Sequence, residues 1–230
     1  MFAFRVILLL GISFAMYKFY GLSAGLLGLA ISLGKILYSL GYMKSVKIFK
    51  SSISKGTIFT KDYTGSYKNI YIAFQEAETL IHKFHLQNDY KVIALYFDPE
   101  TTPDNKKRAC VGIYKKISTA EDKIDLNLED FCKEPKNGFK ISNFESTPAL
   151  YATWDYVNNF SMLIGIKKFY AELHDSLKNK YFRKNYKIES EEVKVCIELY
   201  ESNSSLKFYV PLSQQESFLI HDDFKKKNRN

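Results

Sequence analysis

Between Val6 and Met43 the chain carries only two charged side chains, Lys18 and Lys35. A stretch so poor in charge has little use on a water-facing surface, and it constrains the reading of everything after it. Its inner part, Phe19–Gly34, is apolar apart from two serines. As a helix it spans about 24 Å, somewhat short of a ~30 Å hydrocarbon core. Lys18 and Lys35 at its ends extend the reach by snorkelling, and Tyr17, Phe19, Tyr20, Tyr38 and Tyr42 suit the two interfaces. The earlier run Val6–Tyr17 has 12 residues and is too short to cross alone. The expectation is a single-pass anchor in residues 1–43, with the span inside 6–43 and its core at 19–34. The apolar region continues too long for a cleaved signal peptide.

Within the anchor, Gly21, Gly25, Gly28 and Ser32 recur at intervals of four, three and four, on one helix face. Gly21 and Gly25 form a GxxxG pair. Small residues let helix backbones approach closely, so this face is expected to pack against helices of other membrane proteins. Arg5 precedes the segment, whereas Lys44, Lys47, Lys50 and Lys55 follow it in a basic linker, 44–55. The positive-inside tendency then puts the soluble part on the cytosolic side and the N-terminus opposite.

Lys+Arg exceed Asp+Glu by 33 to 25, a net charge of +8. That balance suits anionic lipid or an acidic protein partner. No helix-turn-helix or RNA-binding signature accompanies it, so no nucleic-acid partner is expected. Cys110, Cys132 and Cys196 are odd in number and far apart, and read as reduced core residues rather than a disulfide framework.

The remainder alternates helix and strand. Ile70, Phe74, Ala77, Ile81 and Phe84 recur at helical spacing over 69–86. Strand-like runs follow at 91–98 and 109–114. The pattern then returns. Phe160, Leu163, Ile166, Tyr170, Leu173 and Leu177 mark a second helix over 158–180, followed by strands at 193–200 and 206–212. Strand-like runs at 52–60 and 139–156 precede the two helices, and a short helix is expected around 126–131. This predicts an α+β domain of two strand–helix–strand–strand repeats over 56–212, helices on one face, then a basic tail over 213–230. Ile93 and Ile197 fall at equivalent places in the repeats.

Three groups of residues carry a resemblance. They are the run from Ala94 through Asp98 and Pro99, Pro103 with Asp104, and Arg108 through Gly112. Gly138–Phe144 follows at matching spacing. In this set the chain resembles the testis-expressed protein 264 family. Ile197-Glu-Leu-Tyr200 followed by Pro211-Leu212 is similar to the end of GyrI-like ligand-binding domains. The resemblance implies a GyrI-like fold, an endoplasmic reticulum membrane location and a role presenting the domain to protein partners in selective autophagy. The sequence departs from the family after Leu212. Only 18 residues follow, ending in Lys225–Arg229, where the family carries a long acidic tail with an aromatic-x-x-aliphatic motif. Trp154–Val157 fits that motif but lies at a strand–helix junction and reads as core. The missing tail, the glycine face and the intramembrane lysines suit an alternative, an accessory subunit of a large membrane assembly such as one in the mitochondrial inner membrane.

One residue stands out chemically. Glu198 lies among apolar neighbours, and a buried carboxylate is costly unless paired. By the GyrI-like resemblance it reaches a central cleft that takes cationic or aromatic ligands, with Tyr200, Trp154 and Tyr156 as candidate walls. By strand alternation alone it faces solvent. The expectation is a cleft filled by large aromatics such as Trp154, or covered by a neighbouring chain, with Glu198 satisfied internally. Glu78, His82 and His85 share a helical spacing compatible with a metal, but on a face expected to be exposed, so no metal is assigned. No catalytic triad order, phosphate-binding loop or dinucleotide glycine pattern is present. Neither an enzyme nor a cofactor is expected.

Overall fold

Gly21 divides the apolar stretch into two helices. The computed structural model describes residues 2–99, 101–119, 124–188, 193–201, 204–222 and 224, with side chains from residue 6 onward. Helix α1 (Phe2–Tyr20) and helix α2 (Leu22–Ser39) flank Gly21, whose φ of 89° is one that residues with a Cβ rarely adopt. The helices then fold back on each other. Gly25 meets Tyr17, and Gly28 meets Met16 and Ser13. Ser32 donates to the Leu9 carbonyl at 3.0 Å, and its oxygen lies 2.8 Å from that of Ser13. The small face of Gly25, Gly28 and Ser32 therefore has its partner within the chain, not in another protein as expected. Gly21 is the turn and packs against nothing. The sequence reading stopped the first run at Lys18, but one lysine does not interrupt a helix. By length and composition α2 is the described helix able to cross a membrane, and the apolar stretch of α1, Val6–Tyr20, is shorter.

The remainder is α+β. Its strands are β1 (Phe49–Ile53), β2 (Gly56–Thr64), β3 (Tyr90–Tyr96), β4 (Arg108–Lys116), β5 (Lys140–Phe144), β6 (Thr147–Asp155), β7 (Cys196–Glu201) and β8 (Ser205–Pro211). The helices are α3 (Tyr71–Lys83), α4 (Leu126–Lys133), α5 (Asn159–Lys178) and α6 (Lys180–Tyr186). All eight strands join one antiparallel sheet in the order β1-β6-β8-β7-β3-β4-β2-β5. The expected repeat is visible in that order. In β2-α3-β3-β4 and in β6-α5-β7-β8 the first strand pairs with the third and the third with the second. The halves meet where β3 pairs β7. This is consistent with the GyrI-like architecture that the resemblance implies. The long run at 139–156 breaks into two strands that serve different halves. β6 opens the second half, while β5 returns to pair with β2 of the first. β1 mirrors it by pairing with β6.

Both faces of the sheet are covered. On one, α3 and α4 pack over Phe59, Val92, Val111 and Ile113, and α5 packs over Leu150, Ala152, Phe208 and Val210. Phe160 and Leu163, expected in the α5 core stripe, remain exposed near its N-terminus. On the other face lie Ile58, Leu95, Leu199 and the equivalent pair Ile93 and Ile197, each 1% exposed as the repeat alignment requires. Phe218 and Ile220, beyond Leu212, pack onto this second face. Residues 225–230, the basic run at the end of the sequence, lie outside the described residues. Cys110, Cys132 and Cys196 are buried free thiols.

The base of the helical hairpin is docked on the domain. Leu40, Val46 and Ile48 join the core of the second half. Gly41 (φ 86°) lies against the Trp154 ring, where a Cβ would stand 2.4 Å from a ring carbon. Lys168 of α5 donates to the carbonyls of Tyr42 and Lys44 at 2.7 and 2.6 Å.

Candidate functional site

Strand alternation sends Cys196, Glu198 and Tyr200 to the helix-covered face of the sheet and Ile197 and Leu199 to the other. Alternation alone would leave one set in water. With both faces covered, both sets go inside, and Glu198 is 1% exposed. Across the β3–β7 seam it faces Ala94, while Tyr200 faces Val92 and Cys196 faces Tyr96. Laying Ile93 on Ile197 also lays Tyr96 on Tyr200 and Ala94 on Glu198. The Ala94–Glu198 pair thus sits on the approximate two-fold between the halves. The short alanine side chain leaves the volume into which the carboxylate extends.

Three phenols converge on that carboxylate. Tyr200 donates to Oε2 at 2.5 Å, Tyr170 of α5 donates to Oε1 at 3.2 Å, and Tyr96 adds a third hydrogen bond. The three tyrosines are themselves half-buried. Further rings close the space around them. Phe74 of α3 meets Tyr200 edge-on at 4.9 Å, Tyr67 meets Tyr96 at 5.0 Å, and Phe169 meets Tyr170 at 5.3 Å. Aromatic side chains of α3, α5 and the sheet pack around the carboxylate, and Glu198 has internal donors.

Burial pushes the Glu198 carboxyl up to about 7, and the hydrogen bonds from Tyr200, Tyr170 and Tyr96 pull it partway back. No cation shares the site among the described ion pairs. Lys91 and Lys207, on the strands flanking β7, both bind Glu201 at 2.7 Å. The result is an acid held by neutral phenol donors, with further aromatic rings packed against those phenols.

Of the walls expected from the sequence, Tyr200 is in place. Trp154 shares its row across the sheet, but Leu206 on β8 stands between them. The Trp154 ring lies over Gly165, where a Cβ would stand 2.3 Å from it, and its Nε1–H donates to the Ser161 carbonyl at 2.9 Å. It is a core residue of the second half. Tyr156 lies one residue past β6, packed against the same core rather than against the carboxylate. Tyr96 and Tyr170 were not singled out in the sequence. Tyr96 was reachable through the repeat, since it is the counterpart of Tyr200.

The histidine group does not assemble. α3 ends at Lys83, and His85 lies beyond it with φ 56°, off the face shared by Glu78 and His82. Among the described residues no three His, Cys, Asp or Glu side chains are placed to hold a metal. A separate groove of about 370 Å³ lies beside α3, lined by Lys61, Glu76, Thr79, Lys83, Phe131 and Phe139 among others. There Lys61 binds Glu76 at 2.8 Å and Lys83 stands over the Phe131 ring at 4.0 Å.

No protein-family model matches the chain, and no curated protein does. Neither comparison places it in the testis-expressed protein 264 family. Solved structures do resemble it. A hydrolase from Listeria innocua is 12% identical, with 73% of this chain and 92% of that chain covered at a TM-score of 0.48. A protein bound to tetraphenylphosphonium is 10% identical, with 76% and 99% covered at 0.44. The EcmrR C-terminal domain is 8% identical, with 72% and 96% covered at 0.40. At these identities and scores the likeness assigns no activity to this chain. The functional reading rests on its own geometry.

Proposed function

We propose that this chain is a membrane-anchored, non-enzymatic binding module whose domain takes an organic cation at Glu198. One observation carries the reading, a carboxylate 1% exposed whose described donors are tyrosine hydroxyls and which has no cationic partner among the described ion pairs. A structural plug in this position would be apolar, because burying an ionisable group costs several kcal/mol in effective terms. A delocalised cation would restore the missing charge, and tyrosine and phenylalanine faces would hold it. Admission requires Phe74 and the half-buried Tyr200 to turn aside. The anchor presents the module at a bilayer surface, on the side that carries Lys44, Lys47 and Lys50.

The test is titration of the full chain in detergent with tetraphenylphosphonium, a lipophilic ring-bearing cation, followed by calorimetry. Saturable binding is expected, weakened at least tenfold in Glu198→Gln. Since the ligand needs the ionised carboxylate, affinity should rise about tenfold per pH unit below 7 and level off above it. Equal affinity in the variant would defeat the assignment. The rings packed around Glu198 and its internal tyrosine donors favour a second reading, an interaction module whose cleft stays shut. It predicts no saturable binding and an effect of Glu198→Gln on stability alone.

A further inference from the structure

The N-terminal hairpin is built inside out. Its buried side chains are hydroxyls, Ser13 (5% exposed) and Ser32 (3%), alongside the buried Gly25 and Gly28. Ile7, Ile12, Phe14, Leu26, Ile31 and Leu33 all point outward, each at 49% exposure or more. A helical hairpin in water turns its large apolar side chains inward and its serines out. In hydrocarbon the preference reverses. Apolar side chains gain nothing by leaving lipid, and helices are held together by close approach at small residues and by hydrogen bonds between hydroxyls. The contacts of Gly25 with Tyr17, Gly28 with Ser13, and Ser32 with Ser13 and Leu9 follow that second pattern.

The dimensions and the ends agree. Helix α2, of 18 residues, is about 27 Å long, close to a hydrocarbon core of ~30 Å. The shorter apolar stretch of α1, Val6–Tyr20, runs about 22 Å, its reach extended by snorkelling of Lys18 near one end, with Arg5 next to the other end in the sequence. Tyr17, Phe19 and Tyr20 ring the Gly21 tip, and Tyr38 and Tyr42 ring the base, as interfacial aromatics do at the two surfaces of one bilayer. Lys18 lies within one turn of the tip and Lys35 about one turn from the base, each within snorkelling distance of an interface.

We infer that both helices cross the bilayer side by side, with Gly21 at the far surface. The occupant of the apolar outer face is lipid hydrocarbon. The N-terminus and the soluble domain then lie on the same side of the membrane, where a single-pass anchor would separate them. This rests on the membrane reading above but makes its own claim, two crossings rather than one.

The experiment uses the full chain, tagged at both ends and synthesised into sealed microsomes. Alkaline extraction comes first. Release into the supernatant would defeat the membrane reading itself, and the hairpin crossing with it. With the chain retained in the pellet, protease is added to intact vesicles. Both tags should share one fate. Protection of one tag and loss of the other would establish a single crossing and overturn the inference while leaving the anchor. A Tyr20→Cys variant then locates the tip with a membrane-impermeant maleimide, against a low background because the three native thiols are buried. Labelling should come from the side opposite the tags, so that with tags exposed outside it appears only after the vesicles are opened. Labelling from the tags' own side, or none after opening, would mean that the hairpin does not cross, and would overturn the inference.

Discussion

At Glu198, burial and hydrogen bonding act on one proton, which couples the fold to pH. The carboxyl moves from 4.5 to about 7 on folding. Between those values the folded chain keeps a proton that the unfolded chain has released. The contribution to stability is therefore full below pH 4.5 and is lost as pH rises to 7. The shift corresponds to about 3 kcal/mol. Glu198→Gln is neutral throughout and removes this slope. Measured by denaturant midpoints, the variant should match the parent near pH 4 and exceed it near pH 8. Parallel profiles would show that Glu198 does not titrate there. Glu198 and Tyr200 were legible in the sequence because a charge inside Val195–Tyr200 breaks an apolar run. Tyr170 was not, since a donor and a core ring look alike in a helical stripe. Trp154 is the core residue its strand–helix junction suggested, but not the cleft wall also considered for it, because the glycine that receives its ring, Gly165, lies on another element. The Asp98 and Arg108–Gly112 run proves architectural. Arg108 holds the Asp98 carboxylate through Nη2 and Nε at 2.7 and 2.9 Å, and a Cβ on Gly112 would stand 1.9 Å from the Phe59 carbonyl oxygen.

Among the elements, the two repeats were readable because helix and strand periods differ and each half uses them in the same order. The edges were not. β1 pairs with residues 147–151 and β5 with residues 56–60, and nothing local in either strand specifies a partner so far along the chain. The hairpin was missed for a related reason, since Gly21 fits a packing motif as well as a turn and only the return contacts decide. The repeat alignment carries its own test. Ile93 and Ile197 are 1% exposed at equivalent positions on the second face of β3 and β7. Truncating either to alanine removes several buried carbons that neighbours cannot fully replace, at about 2–5 kcal/mol. Urea midpoints of Ile93→Ala and Ile197→Ala should fall by similar amounts. A cost below about 1 kcal/mol at either site would mean that its surroundings collapse freely, against the close packing described.

Across the whole molecule the sheet is a middle layer, and its second cover is the segment after β8. Phe218 is fully buried against Phe144, with ring centres 5.0 Å apart. Phe224 packs on Phe97 at 5.2 Å and lies under the Arg108 guanidinium at 4.1 Å. Lys140 of β5 ties the segment down by binding both Asp62 of β2 and Asp222. Ile58, Leu95 and Ile197 lie beneath, and among the described residues none of α3 to α6 contributes to the cluster on that face. Without the segment they would form an apolar patch on a sheet whose other side is already committed to α3 and α5. A chain ending at Leu212 should therefore melt at lower temperature, bind a hydrophobic dye and aggregate. Phe218→Ala is the milder probe. Deleting a fully buried ring costs about 3–5 kcal/mol while leaving the Lys140 ion pairs intact. Its unfolding midpoint should drop accordingly, with the Glu198 pH dependence unchanged because that carboxylate lies on the opposite face. An unaltered midpoint in the Phe218 variant, together with a truncated chain that neither binds dye nor loses stability, would show that the second face does not need this cover.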